Sequence, residues 1–207
     1  EYLQTDSVLA TGNSNTWADT TVVYGPVWTL ICKTIASLSF GNIDIGLLLF
    51  KIANMLVHLI NCYFIYKISH KKIFTLIYGL NPLILIEGIA CVHNDIWVAL
   101  FILMALYFFA KKKNLIGTVT CLALATAIKY FAIIILPFLI IYYFRKEEPS
   151  KRLKKCIQYG ILFLVILVIP YLCYVRDLQV LSGLFVQQEK LAKSFYIILT
   201  EYFKEPK

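Results

Sequence analysis

Asn81-Pro82-Leu83-Ile84-Leu85-Ile86-Glu87-Gly88-Ile89-Ala90-Cys91-Val92-His93-Asn94-Asp95 sets Glu87, His93, Asn94 and Asp95 among residues that otherwise read as membrane core. A charge near the centre of a bilayer costs about 3 kcal/mol or more, so ionisable groups at that depth are usually paired, functional or turned to an aqueous cavity. Pro82 lacks a backbone donor, which predicts a kink in the middle of the span that carries it. The rest of the sequence reads as a frame that holds this cluster at one face of a membrane.

The composition around this stretch is that of a polytopic membrane protein. Of the 207 residues, 60% are hydrophobic and only 15% charged, against about 25% charged in an ordinary soluble domain; the mean hydropathy is +0.74. The formal charge of +8 does not point to nucleic acid, because Lys and Arg of membrane proteins gather in the loops that stay cytoplasmic. Glu1 opens the sequence without an initiator Met or a signal-peptide pattern, so a piece of a longer chain, cut at both ends, is expected. Cys32, Cys62, Cys91, Cys121, Cys156 and Cys173 fall one per apolar segment with no CxxC pair, and read as small buried hydrophobes. Cys91 and His93 would give a metal only two of its usual three or four ligands, so a divalent metal is left open and no cofactor is assigned.

Residues 1–22 contain Glu1, Asp6 and Asp19 but no Lys or Arg, and read as an irregular outer loop. Tyr24-Gly25-Pro26-Val27-Trp28 leads an apolar helix over 23–40. From Pro26 it measures about 22 Å at the helical rise, short of a hydrocarbon core of about 30 Å, so it is placed in the outer interface with Trp28 at that depth. Membrane helices are predicted over 47–66, 73–90, 95–110 and 156–175. The first of these carries Lys51, Asn54, His58 and Asn61 on one helical stripe, which reads first as a source of interhelical hydrogen bonds. The stretch 114–144 is read as two short helices, 114–128 and 131–144, with Lys129 at the outer tip; a single helix would put Lys111 to Lys113 and Arg145-Lys146 on opposite sides. Residues 176–207 form a more polar outer tail, in which Glu189 to Phe203 fits an amphipathic surface helix.

On this topology Lys67, Lys71, Lys72, Lys111 to Lys113, Arg145, Lys146, Lys151, Arg152, Lys154 and Lys155 stand inside, 12 of the 20 basic residues. Lys33, Lys51 and Lys129 instead lie in apolar segments that approach the outer face, where an anionic ligand would account for them. Lys129 joins Glu87, His93, Asn94 and Asp95 beneath the segment holding Tyr24 and Trp28. Lys supplies a point charge for phosphate, His changes protonation near neutral pH, and carboxylates accept sugar hydroxyls or act as a base. Asn94 and Asp95 also suit the N-cap of the helix that begins there. That role leaves Glu87 and His93 unexplained.

Asn81-Pro82-Leu83-Ile84-Leu85-Ile86-Glu87, His93-Asn94-Asp95 and Lys129 in Ala-Ile-Lys-Tyr ahead of Leu136-Pro137 together resemble the GT-C superfamily of membrane glycosyltransferases. The likeness is to the polyprenyl-phosphate-mannose-dependent mannosyltransferases and their bacterial relatives, and it covers most of residues 10–145. Tyr24-Gly25-Pro26-Val27-Trp28 is similar to that family's Tyr-Pro-Pro-Leu-Trp element, with Gly25 in place of a proline. The resemblance implies an all-α transmembrane bundle in a bacterial plasma membrane. It implies inverting transfer of a sugar, mannose first, from a polyprenyl-phosphate carrier to a lipid or glycan acceptor at the extracytoplasmic face, with no nucleic-acid partner. It further implies that Lys129 holds the carrier phosphate, that His93, Asn94 and Asp95 orient the sugars, and that Glu87 supports them, with Lys51, Tyr24 and Trp28 nearby. The family's catalytic base is an Asp in the first outer loop, expected upstream of Glu1; Asp6 is the nearest substitute and Asp19 a poorer one. From a different class, a proton-coupled transporter would use His93, Asp95 and Glu87 as a relay around a broken helix.

Overall fold

The computed structural model describes residues 24–173. Among them the regular elements are helices and none is a strand. In chain order they are α1 (Pro26–Leu38), α2 (Ile43–Ser69), α3 (Lys72–Gly79), a π-helical segment (Ile84–Ala90), α4 (Asp95–Tyr107) running into a π-helical turn (Phe108–Lys112), α5 (Leu115–Thr126), a 3-10 turn (Tyr130–Ile134) running into α6 (Ile135–Tyr143), and α7 (Pro149–Leu172). By length and composition α2 and α7 can each cross a membrane, and α3 with the π-helical segment makes a third candidate, bent by 60° at its break. The expected outer loop over 1–22, with Asp6 and Asp19, and the tail over 176–207, with its Glu189 to Phe203 helix, lie outside the described residues.

Several helices extend past the apolar runs that announce them, for local reasons. Asn42 caps α2 by accepting from the Ile45 amide at 3.0 Å, with Asp44 in the first turn, so the helix starts at Ile43 and not at Leu47. It ends at Ser69, where His70 turns left-handed (φ 55) and donates its amide to the Tyr66 carbonyl. The basic segment before residue 156, expected to be loop, is helical from Pro149, because Pro sits at the first position and Lys151 and Lys155 reach back to Glu148 and Glu147 at 3.1 and 2.6 Å. The kink expected at Pro82 is a full break: α3 stops at Gly79, helix resumes at Pro82 with the Leu85 amide bonded to the Asn81 carbonyl at 3.0 Å, and it runs as a π-helix from Ile84.

The faces divide as a membrane bundle requires. On α2, Asn54, Val57, His58 and Asn61 are buried, while Leu48, Met55, Leu56 and Leu59 on the other side are exposed. On α7 only Phe163 is buried, and Ile161, Leu164, Val165, Val168 and Ile169 are exposed, an apolar surface suited to lipid. The centre is α5. It is only about 18 Å long, and Leu115, Thr118, Val119, Leu122, Ala123 and Thr126 are all buried. Helix α5 is therefore covered by protein nearly all round, which removes the need to match the bilayer. Ala105, Leu122, Leu136, Ile140, Phe144 and Phe163 form one core where α4 to α7 meet; Trp28, Val98, Ala125, Ile128 and Ala132 form a second around α1.

Beyond α5 the chain becomes extended at Lys129 (φ −138, ψ 125) and folds back, so that the Tyr143 hydroxyl donates to the Lys113 carbonyl at 3.1 Å. Non-helical backbone within a membrane protein must find partners inside the fold. Here the Ile128 carbonyl accepts the Gly25 amide at 3.0 Å, and the Ala127 carbonyl accepts the Val27 amide at 3.1 Å. The approach is close enough that a Cβ on Gly25 would overlap the Ala127 carbonyl oxygen, and a proline there would lose the bond to Ile128. Gly25→Ala is therefore expected to lower stability by about 1–3 kcal/mol through overpacking. A lowered thermal unfolding midpoint in detergent checks it; an unchanged midpoint would show that this contact does not hold the Lys129 turn.

Candidate functional site

The break at Pro82 frees backbone groups, and the polar stripe of α2 takes them up. The Asn81 side chain accepts the Leu83 amide at 3.0 Å, so the Gly79 carbonyl loses its helical donor and is met by His58 Nε2 at 3.1 Å. A carbonyl can only accept, so His58 carries its proton on Nε2, and its ring stacks on Tyr78 with centroids 5.3 Å apart. At the far end of the π-helical segment the His93 amide bonds to the Glu87 carbonyl at 3.1 Å, leaving the Gly88 and His93 carbonyls open. Asn54 Nδ2 donates to both, at 2.7 and 3.3 Å, while Asn54 Oδ1 accepts from the Trp97 indole at 2.8 Å. Asn61 Nδ2 donates to the Ile96 carbonyl and the Tyr78 hydroxyl, both at 2.9 Å. Three side chains of one helix face thus fix both ends of the segment that bears Glu87 and His93.

That fixing sets the geometry of the ionisable groups. Val92, which is β-branched, is held left-handed (φ 59) in the turn before His93; this conformation costs about 1–2 kcal/mol. His93 Nδ1 lies 3.6 Å from Glu87 Oε2, a separation too long for a hydrogen bond, with both side chains about half exposed. Asp95 begins α4, and its Oδ1 accepts from Lys129 Nζ at 2.6 Å. The same ammonium lies 5.7 Å from the centroid of the Tyr24 ring, within cation–π range. Below these groups opens a cavity of about 500 Å³, apolar on Ile84, Ile96 and Tyr78 and carrying Glu87, His93 and Asp95 on its lining. Gly88 belongs to the same wall, where a Cβ would overlap the Ile96 side chain.

Glu87, His93, Asp95, Lys129 and Tyr24 are thus brought together around one opening. Asn94 lies beside them but is buried; its side chain makes no capping bond, and its Nδ2 has no hydrogen-bond partner among the described residues. Trp28 and Lys51 lie apart from this group. Trp28 does not line the cavity: it is buried against Phe50 and Trp97, with centroids 6.3 and 6.4 Å away, because Gly25 draws the start of α1 onto the Ala127–Ile128 backbone. Lys51 continues the stripe toward the N-terminus of α2 but is exposed and makes no ion pair among the described residues. Lys33 is exposed too. Tyr78 and Gly88 line the cavity without having been singled out from sequence; an aromatic and a glycine in an apolar run carry no local signal. Among the described residues no group of three or more His, Cys, Asp or Glu side chains is placed to hold a metal ion.

An all-helical membrane protein with a carboxylate, imidazole and ammonium cluster over an apolar cavity is the class that fold and site define. The chain belongs to the MptA_B family, described as the N-terminal domain of Alpha-(1->6)-mannopyranosyltransferase, whose profile matches residues 2–145. It is similar to Alpha-(1->6)-mannopyranosyltransferase A of Corynebacterium glutamicum, with 27% identity over 132 residues; the match takes in 61% of this chain and 27% of the relative. The chain thus spans about a quarter of the length of the curated relative it matches. No solved structure matches.

The site's dependence on α2 is open to direct trial. Asn54→Leu keeps the branched shape but strands the Gly88 carbonyl and the Trp97 indole, and is expected to cost about 1–3 kcal/mol. Thermal unfolding in detergent measures it, with exposed Met55→Leu as the neutral comparison; equal midpoints for the two variants would contradict the assignment.

Proposed function

We propose that the protein takes part in transfer of a mannosyl residue from a polyprenyl-phosphate carrier to a glycan or lipid acceptor at the extracytoplasmic face of the membrane. Family membership supports the sugar and the reaction class. The observation that carries the rest is the Lys129–Asp95 pair, at 2.6 Å, beside an apolar cavity with Glu87 and His93 on its lining. A polyprenyl phosphate has the matching two-part chemistry: an apolar chain for the Tyr78, Ile84 and Ile96 wall, and a phosphate for a lysine.

In this reading the phosphate replaces the Asp95 carboxylate on Lys129, whose ammonium has three donors to share. Asp95, released, accepts a sugar hydroxyl, and His93, steadied by Glu87, accepts or donates to another. The acceptor oxygen attacks the sugar's anomeric carbon, forming the new glycosidic bond as the bond to the phosphate oxygen breaks. The acceptor's proton passes to a carboxylate base, and the polyprenyl phosphate leaves with its charge held by Lys129. Asp6, which lies outside the described residues, is only the nearest substitute for that base. The structure's own contribution is pre-organisation: Asn54 and Asn61 hold the cavity wall, and the Gly25 contact holds the Lys129 turn, before substrate arrives.

Transfer of radiolabelled mannose from polyprenyl-phosphate-mannose into membranes containing the protein tests this. Lys129→Ala is expected to reduce transfer about 100-fold, as loss of a charge-stabilising donor does; Asp95→Asn and His93→Ala should reduce it as well, while Lys67→Ala on the opposite basic turn should not. Unchanged transfer with Lys129→Ala would refute the phosphate role. Transfer of no mannose by the wild type, with ion-coupled uptake that Lys129→Ala abolishes, would replace the enzyme reading with transport.

A further inference from the structure

Lys113, Arg145 and Lys146 line a second cavity of about 500 Å³, walled by Phe109, Tyr142 and Tyr143. The chain from Asp95 to Lys113 runs through α4 and its π-helical turn, about 25 Å at the helical rise, so this cavity lies at the end of the bundle away from the Asp95–Lys129 pair. Local structure builds it. Lys113 ends the π-helical turn in a left-handed conformation (φ 50), and the Tyr143 hydroxyl bonds to its carbonyl, clamping α6 to the start of α5. The Phe109 ring packs against both tyrosines with centroids 5.9 Å away. The Arg145 guanidinium lies 3.8 Å from the Tyr142 centroid and one of its N–H groups donates to the Tyr142 carbonyl at 3.5 Å, which restrains it and leaves the remaining donors to meet an anion.

Among the described residues no carboxylate is paired with a cation of this cavity. The lysine–carboxylate pairs among the described residues join Asp95 to Lys129, Glu148 to Lys151 and Glu147 to Lys155, and Glu87 stands beside His93. The two carboxylates that follow Arg145 and Lys146 are engaged by lysines of α7, and no described carboxylate lies within ion-pair distance of Lys113, Arg145 or Lys146. Lys111 and Lys112 adjoin and add to the same field. Cations without carboxylates, set in aromatic walls at the end of helices with exposed apolar sides such as Phe138 and Ile141, match a ligand with an anionic head and an apolar body. We propose that this cavity binds the phosphodiester headgroup of an anionic phospholipid, with the acyl chains lying along α6. Basic pockets between membrane helices recognise such headgroups through these terms. The proposal does not depend on the transfer activity.

The test is lipid retention by the purified protein. After equilibration in mixed micelles of phosphatidylglycerol and phosphatidylcholine, lipid that survives transfer into plain detergent is counted by native mass spectrometry. The wild type is expected to retain phosphatidylglycerol in preference, and each cation removed should cut the preference about fivefold. Lys113→Ala/Arg145→Ala/Lys146→Ala should abolish it, whereas Lys67→Ala/Lys71→Ala/Lys72→Ala should leave it intact. Should the first triple variant fold poorly, Arg145→Gln alone must still lower the ratio about fivefold. Equal retention of the two lipids by the wild type, or equal loss in both triple variants, would overturn the proposal. Displacement of the lipid by millimolar inorganic phosphate would make this a site for free phosphate and overturn the lipid assignment.

Discussion

A helix broken inside a membrane must find partners for the backbone groups it releases, because lipid offers none. In this protein the constraint falls on the segment from Gly79 to Asp95, and α2 answers it with Asn54, His58 and Asn61. The same rule governs the second interruption, at Ala127 to Lys129, whose carbonyls are met by the amides of Gly25 and Val27. The ionisable groups are carried by these two interruptions. Regular helix would bury its hydrogen bonds internally and present only side chains; interrupted helix lets a turn bring Glu87, His93 and Asp95 toward Lys129 and keep them there.

Strength is distributed accordingly. The ion pairs at the opening are partly exposed and contribute little to stability by themselves, while the buried amide contacts beneath them hold the wall whose turn keeps Val92 left-handed. A site arranged in this way can exchange the partner of Lys129 without loosening its frame. The cavity below is apolar and so favours a ligand with a chain, and the polar lining favours one with a charged and hydroxylated head. Both requirements follow from placing a polar turn at the top of an otherwise apolar bundle.

Much of this was readable beforehand, and the reasons for the rest are physical. The spacing of Asn54, His58 and Asn61 announced one helix face in contact with protein, and Pro82 announced an interruption. Lys51 shares the stripe yet is exposed, since periodicity identifies a face but not how far along it a neighbour extends. That the helix after Pro82 becomes π-helical at Ile84 had no residue signal, because the far end of the segment is held by Asn54 across space. Trp28 suited an interface by residue type; the close approach permitted by Gly25 put it inside a core. Helix starts were displaced where a capping side chain, Asn42, or a proline at the first helical position, Pro149, starts a helix before its apolar run begins. Glu87, His93, Asp95 and Lys129 stood out because charges in apolar surroundings are costly, a signal that needs no structure.

The central claim is that the opening formed by these residues takes a polyprenyl phosphate, chain in the cavity and phosphate on Lys129. The most direct measurement is photo-crosslinking of the protein in membranes with a polyprenyl phosphate bearing a diazirine near the head of its chain, followed by peptide mapping of the adduct. The account predicts adducts between Tyr78 and Ala99, lost with Lys129→Ala. Adducts confined to other parts of the chain, or labelling of this segment that ignores the loss of Lys129, would contradict it.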